Sequence, residues 1–178
     1  MRWTCNCGQV ELSVTPGDGT RIVCYCASCQ RFANAFGAGD TLDPAGGADL
    51  YQTAPDRVTI TKGADKLSWV KFTPKGPNRW FTTCCRTPMA NSLGTRAIPF
   101  ATVLSHNIDD KSGLGPVIAR VNRKDATQTI TEDPGSAGKA IRAFIWRALR
   151  SRLSGRYKRN PFFDANGTLI ADGSPVDD

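Results

Sequence analysis

The seven cysteines of this 178-residue chain fall into three tight groups, Cys5/Cys7, Cys24/Cys26/Cys29 and Cys84/Cys85. That clustering constrains the fold more than any other feature. An odd count, tight pairs and an N-terminus (Met1-Arg2-Trp3-Thr4-Cys5) without an apolar leader argue against a disulfide framework. The expected setting is the cytoplasm, where thiols stay reduced and clustered cysteines serve metals; chance core cysteines and redox thiols are the alternatives. The densest group, C-x-C-x-x-C, follows the apolar pair Ile22-Val23. Residues two apart on a strand share a face, so Cys24 and Cys26 point together, and a tight turn brings Cys29 round to them. Convergent thiolates suit a soft or borderline cation, with zinc the default, yet three ligands are one short of a tetrahedron.

The remaining cysteines suggest a split of four and three. Cys5 and Cys7, joined by Cys84 and Cys85, would hold a structural zinc in a filled tetrahedron, while Cys24, Cys26 and Cys29 would hold a second zinc with an open position. Adjacent strand residues point to opposite faces, so Cys84 and Cys85 share a metal only from a turn. Three placements of Cys84 therefore stay open: with Cys5, Cys7 and Cys85, with the C-x-C-x-x-C group, or with neither. Three thiolates bring Zn²⁺ to a net charge of −1, which disfavours a further anion unless a cation lies nearby. Arg31 is the nearest in sequence, with a solvated surface role as its alternative. His106, the only histidine, is a candidate fourth ligand or proton shuttle, or else a hydrogen-bonded structural residue.

Alternating apolar residues predict a mainly β domain over residues 1–170, followed by a frayed tail at 171–178. Val10, Leu12 and Val14 mark a strand after the Cys5-Asn6-Cys7-Gly8 knuckle, and residues 21–26 a second. Residues 30–50 read as a short helix or turn leading into a loop. Residues 56–83 read as an antiparallel meander, with turns at Lys62-Gly63-Ala64-Asp65 and Pro74-Lys75-Gly76-Pro77-Asn78, ending at Cys84-Cys85. Pro88 is expected to take the chain out of the strand. Residues 100–105 and 117–121 are further strand candidates.

The formal charge of +7 comes from one segment. Lys139, Arg142, Arg147, Arg150, Arg152, Arg156, Lys158 and Arg159 lie between positions 136 and 160 with no acid, leaving the rest of the chain at −1. Apolar residues at 137, 140, 141, 144, 145, 148, 149 and 153 predict an amphipathic helix over about 136–153, its stripe packed on the β core and its cations solvated. Nucleic acid is a candidate partner of this basic face but not the favoured one. No apolar run approaches a membrane span, and no membrane partner is expected.

The ordered set of C-x-C-G, C-x-C-x-x-C and a later Cys-x-Thr-Pro (Cys85-Arg86-Thr87-Pro88) resembles the glutathione-dependent formaldehyde-activating enzyme and centromere protein V family, over roughly residues 3–105. The resemblance implies a tent-like, zinc-ribbon-related β fold. It also implies carbon–sulfur lyase chemistry joining glutathione, as co-substrate, to formaldehyde. By position it makes Cys5, Cys7 and Cys85 structural-zinc ligands and Cys24, Cys26 and Cys29 catalytic-zinc ligands. The family's Cys-x-x-Cys-Gly-Thr-Pro stands here as Thr82-Thr83-Cys84-Cys85-Arg86-Thr87-Pro88, so its first cysteine is Thr82, its glycine is Arg86, and Cys84 is new. The basic helix also lies outside the family pattern, which places the chain in a divergent, bacterial-type branch. Two readings follow: an enzyme acting on a thiol adduct of a small electrophile, or a non-catalytic zinc module binding nucleic acid or a protein through its basic helix.

Overall fold

A computed structural model describes residues 1–175. The chain is mainly β, with two sheets and two α-helices. Strands β1 (Arg2–Thr4), β2 (Glu11–Val14) and β5 (Val58–Lys62) form a small antiparallel sheet in the order β1-β2-β5. The larger sheet contains β3 (Thr20–Cys24), β4 (Ala48–Thr53), β6 (Leu67–Lys71), β7 (Asn78–Thr82), β8 (Pro88–Ser92), β9 (Ala101–Leu104), β10 (Val117–Val121) and β11 (Gly173–Pro175). Its order is β10-β3-β4-β9-β8-β7-β6-β11. The pairs at its two ends are parallel and the inner ones antiparallel.

Side chains alternate across this sheet and divide its faces between two cores. Tyr51, Trp80 and Val103 join Trp3, Leu12, Val14 and Val58 in the core under the small sheet. Leu50, Leu104, Ile22 and Cys24 turn to the other face, where helix α1 (Ala27–Ala35) lays Phe32 and Cys29 over them. The same alternation puts Arg79 opposite Trp80, on the α1 face, where its guanidinium lies 5.7 Å from the Phe32 ring.

Several expectations change. Strand β5 leaves the expected meander and pairs with β2, because Val58 belongs to the core beneath the small sheet; β6, β7, β8 and β9 run on as antiparallel neighbours. Residues 48–50, the end of the stretch read as loop, instead begin β4 (Ala48–Thr53), an interior strand of the large sheet. The strand's polar residues are met by tertiary partners: Arg21 holds Asp49 through two nitrogens at 2.7–3.1 Å, and Arg147 donates to Gln52 at 2.8 Å. Pro88 opens β8 rather than ending strand structure, a position where its missing N–H costs no ladder bond. The tail expected to fray from 171 instead adds β11 to the sheet edge. There Ser68 Oγ donates to the Asp172 carbonyl and Trp69 Nε1 to that of Ala171; residues 176–178 lie outside the described residues.

Helix α2 (Ala137–Leu153) forms where the period predicts, with Ser136 capping the Lys139 N–H at 3.2 Å. Its apolar stripe, however, does not pack on the sheet as a whole. The docked side is Ala140, Ser151 and part of Phe144, which meets Phe100 edge-on, while Arg147 reaches inward to the Asp18 carbonyl, Thr20 and Gln52. Ile141, Ile145, Trp146, Leu149 and Leu153 face solvent. The stripe spans more arc than one docking surface covers.

Candidate metal centres

Two groups of thiols converge. Cys5, Cys7, Cys84 and Cys85 form one, and Cys24, Cys26 and Cys29 the other, the sulfurs in each lying within 4.8 Å of one another. In the first group Sγ–Sγ distances are 3.6 Å for Cys5–Cys7, 4.0 Å for Cys5–Cys84, 3.4 Å for Cys7–Cys84 and 3.8 Å for Cys84–Cys85. A tetrahedral zinc with sulfur ligands at about 2.3 Å has an edge of about 3.8 Å, so the donor set fits that ion. Local structure explains how neighbours share the site. Cys84 and Cys85 lie in the turn between β7 and β8, off the alternating strand, so both sulfurs reach the same side. Arg86 follows at φ 57°. This left-handed conformation costs a side chain about 1–2 kcal/mol. Arg86 is held there by donating to the Ala35 carbonyl at 3.0 Å and by stacking 4.9 Å over Phe36.

Donors surround this group. The Val10 N–H donates to Cys5 Sγ at 3.2 Å, and Thr82 and Thr87 hydroxyls lie 3.3 and 3.1 Å from Cys85 Sγ. Burial pushes the Cys85 thiol up, but the Thr82 and Thr87 hydrogen bonds outweigh it and bring it down to about 5. Burial, with hydrogen bonding to Cys7, pushes the Cys84 thiol up to about 12. Thr82, which stands where the resembling family has a cysteine, is fully buried and touches the group through Cys85. Of the three placements open to Cys84, the structure shows the first.

The second group is built differently from the strand-and-turn expectation. Strand β3 ends at Cys24; Cys26 is the N-cap of α1, and Cys29 sits in that helix's first turn, its N–H bonded to the Cys26 carbonyl. The first helical turn, not a tight turn after a strand, brings Cys26 and Cys29 together, and the helix N-terminus favours negative charge on them. Hydrogen bonding from Cys24 and Cys29 holds the Cys26 thiol far below its ordinary range, while Cys24 and Cys29 are pushed up. Asn122 Nδ2 donates to Cys24 Sγ at 3.3 Å. No histidine or fourth cysteine joins the set among the described residues.

The cation beside it is Arg79, not Arg31. Arg31 lies on the outside of α1, its guanidinium 4.8 Å from the Phe72 ring. Arg79, only 4% exposed, donates to Cys29 Sγ at 3.4 Å, to Asn91 Oδ1 at 3.1 Å and to Ser28 Oγ at 2.8 Å. Its Nε has no partner, and no carboxylate pairs with it among the described residues. Strand alternation was the signal for it: Phe81 on the same face implies cover there, and Arg79 shares that cover. Cys29 and Arg79 line a cavity of about 80 Å³ whose wall combines Phe32, Leu42, Leu50 and Leu104 with the polar Asp49, His106 and Lys111. At the roughly 30 Å³ a liquid water occupies, it has room for about two or three waters. Burial, reinforced by Lys111, lowers the His106 pKa to about 4, so the imidazole is neutral at pH 7.

The profile of a family of unknown function, DUF6151, matches residues 1–171. The chain belongs to DUF6151. No curated protein matches it. Among solved structures, a Rhodobacter sphaeroides protein is 22% identical with a TM-score of 0.45, over 66% of this chain and 97% of that one. No helix of this DUF6151 chain among the described residues is long and apolar enough to cross a membrane.

Proposed function

We propose that the protein binds two zinc ions, a closed structural one at Cys5, Cys7, Cys84 and Cys85 and an open one at Cys24, Cys26 and Cys29. In this reading the open centre serves carbon–sulfur bond chemistry on a thiol adduct of a small electrophile. The resemblance to the formaldehyde-activating enzymes supplies glutathione and formaldehyde as the first pair to test, and their tent-like, zinc-ribbon-related fold as the frame. One observation carries the reading: a three-thiol group, one ligand short, has its Cys29 on the wall of a small cavity that is also lined by Arg79, a buried arginine paired with no carboxylate among the described residues. Zinc, when bound, holds an incoming thiol as a thiolate at neutral pH.

The chain's own residues then have defined tasks. Arg79 offsets the excess negative charge of three thiolates and so lets a fourth anionic sulfur approach. The cavity takes the electrophile and is too small for a tripeptide, which must lie outside it with only its sulfur reaching in. In the cleavage direction, neutral His106 accepts the hydroxyl proton of the adduct, the carbon–sulfur bond breaks, and the sulfur departs as a thiolate beside Arg79.

Cobalt substitution tests this. Two Co²⁺ per chain, with the absorption of one changed by added glutathione, is the expected result. A single metal per chain, or two whose spectra ignore thiols, refutes it. A second reading, a metal-stabilised binding module without turnover, is favoured by the solvent-facing side of α2; two thiol-inert metals would support it.

A further inference from the structure

Two features that usually lie apart coincide on α2. The six large hydrophobic side chains exposed among the described residues are Ile98, Ile141, Ile145, Trp146, Leu149 and Leu153, 47–80% accessible. Five are on α2. The sixth adjoins its C-terminal end, where Arg152 donates to the Ala97 carbonyl at 3.1 Å. The same helix carries most of the chain's excess positive charge. Arg147 is turned inward, Arg152 stacks 4.6 Å over Tyr157, and Arg156 pairs with Asp56. Lys139, Arg142 and Arg150 remain exposed among the apolar residues with no ion-pair partner among the described residues.

Ile141, Ile145, Leu149 and Leu153 follow at intervals of four, forming one ridge along the helix, with Trp146 beside it. The ridge is convex and flanked by cations. Nucleic acid would pair with the cations but leave the ridge in water. A second copy would press two cationic faces together, with no acid between positions 136 and 160 of either to relieve them. A surface offering apolar depth and negative charge together is the interface of an anionic bilayer, where such a helix lies in the plane with its ridge in the acyl boundary and its cations at the headgroups.

We infer that the outward face of α2 docks the protein peripherally on anionic phospholipid. This places the two thiol groups on a body that meets the membrane through α2, with no helix among the described residues long and apolar enough to cross it.

Tryptophan fluorescence gives a direct readout. Trp146 is 60% exposed, whereas Trp3 and Trp80 are fully buried and Trp69 half-buried. Titrating the full-length protein with vesicles of equal parts phosphatidylcholine and phosphatidylglycerol should shift the emission to the blue, with co-sedimentation, while pure phosphatidylcholine should do neither. Trp146→Phe should abolish the shift but not the sedimentation. Arg142→Gln with Arg150→Gln should weaken binding about thirtyfold, and Ile145→Ala with Leu149→Ala by more than roughly tenfold. These positions are exposed, so unchanged circular dichroism will show that the variants fold. The inference is overturned if anionic vesicles leave Trp146 unchanged, or if neutral vesicles bind equally well. It is also overturned if Trp146 is already shielded in the free protein by self-association that dilution reverses. Duplex DNA or an acidic peptide occupying the face where vesicles do not would assign it to that partner instead.

Discussion

Replacing Cys84 with alanine tests how the closed thiol group is held together. Cys84 makes three of the four close sulfur contacts in that group, at 3.4, 3.8 and 4.0 Å, while Cys5 and Cys7 share the fourth at 3.6 Å. Without it the group is left with three sulfurs and one open position, so the variant should hold its ion more weakly than the wild type and give it up first to a chelator. An ion held there would fasten the knuckle after β1 to the turn before β8 across 79 residues of chain. Its loss is therefore a loss of native-state stability. For an ion binding only the folded chain at a free concentration a thousand times its Kd, that loss is about 4 kcal/mol. In a domain of this size it lowers Tm by about 8–16 °C. The thiol itself packs at the edge of the core, so the metal-free variant and metal-free wild type should differ by less than about 1 kcal/mol. Scanning calorimetry with zinc and after chelation, beside metal analysis of the desalted protein, separates the two contributions. A Cys84→Ala protein that keeps two ions per chain and the wild-type Tm would falsify the closed-site assignment. So would one whose ion is lost from Cys24, Cys26 and Cys29.

Three further outcomes follow. Thr82→Cys in the Cys84→Ala background should restore the second ion and most of the lost Tm, because Thr82 Oγ1 already lies 3.3 Å from Cys85 Sγ; metal analysis showing one ion would refute this. Arg79→Met should keep both metals yet weaken glutathione binding about a hundredfold, since a buried unit charge a few ångströms from an incoming thiolate is worth about 3 kcal/mol; unchanged affinity by titration calorimetry would count against Arg79. His106 should titrate near 4 rather than 6.5 in a proton NMR experiment on its lone imidazole. Its folded pKa lies below the unfolded value, so up to about 3 kcal/mol of stability is fully present above pH 6.5 and lost as pH falls through 4. A midpoint at 6.5 would show an imidazole open to water.

Much of the architecture is legible from residues alone, and the exceptions have physical causes. The α2 period and the strands around Val10–Val14 and Val117–Val121 follow from local pattern. Strand β4 does not, because Asp49 and Gln52 look like loop residues until Arg21 and Arg147 arrive from elsewhere in the chain. The pairing of β5 with β2 is likewise non-local, decided by which core Val58 enters. The thiol grouping is legible in outline from cysteine count and spacing. The identity of the neighbouring cation is not, since sequence proximity favours Arg31 while sheet register delivers Arg79 from fifty residues away. The docking of α2 was missed because a stripe wide enough to be a core face looks the same whether one side of it is covered or two.

The two thiol groups differ most in the chain distance they must close. Cys24, Cys26 and Cys29 are neighbours, brought together by the end of one strand and the first turn of the next helix. Cys5 and Cys84 meet only after the sheets on either side have assembled. Contacts of short separation form early in folding, and those of long separation wait for loop closure. When metal is scarce during refolding, the local group is therefore positioned to capture an ion first. The distant group acts as a late lock that closes only on a chain already arranged correctly.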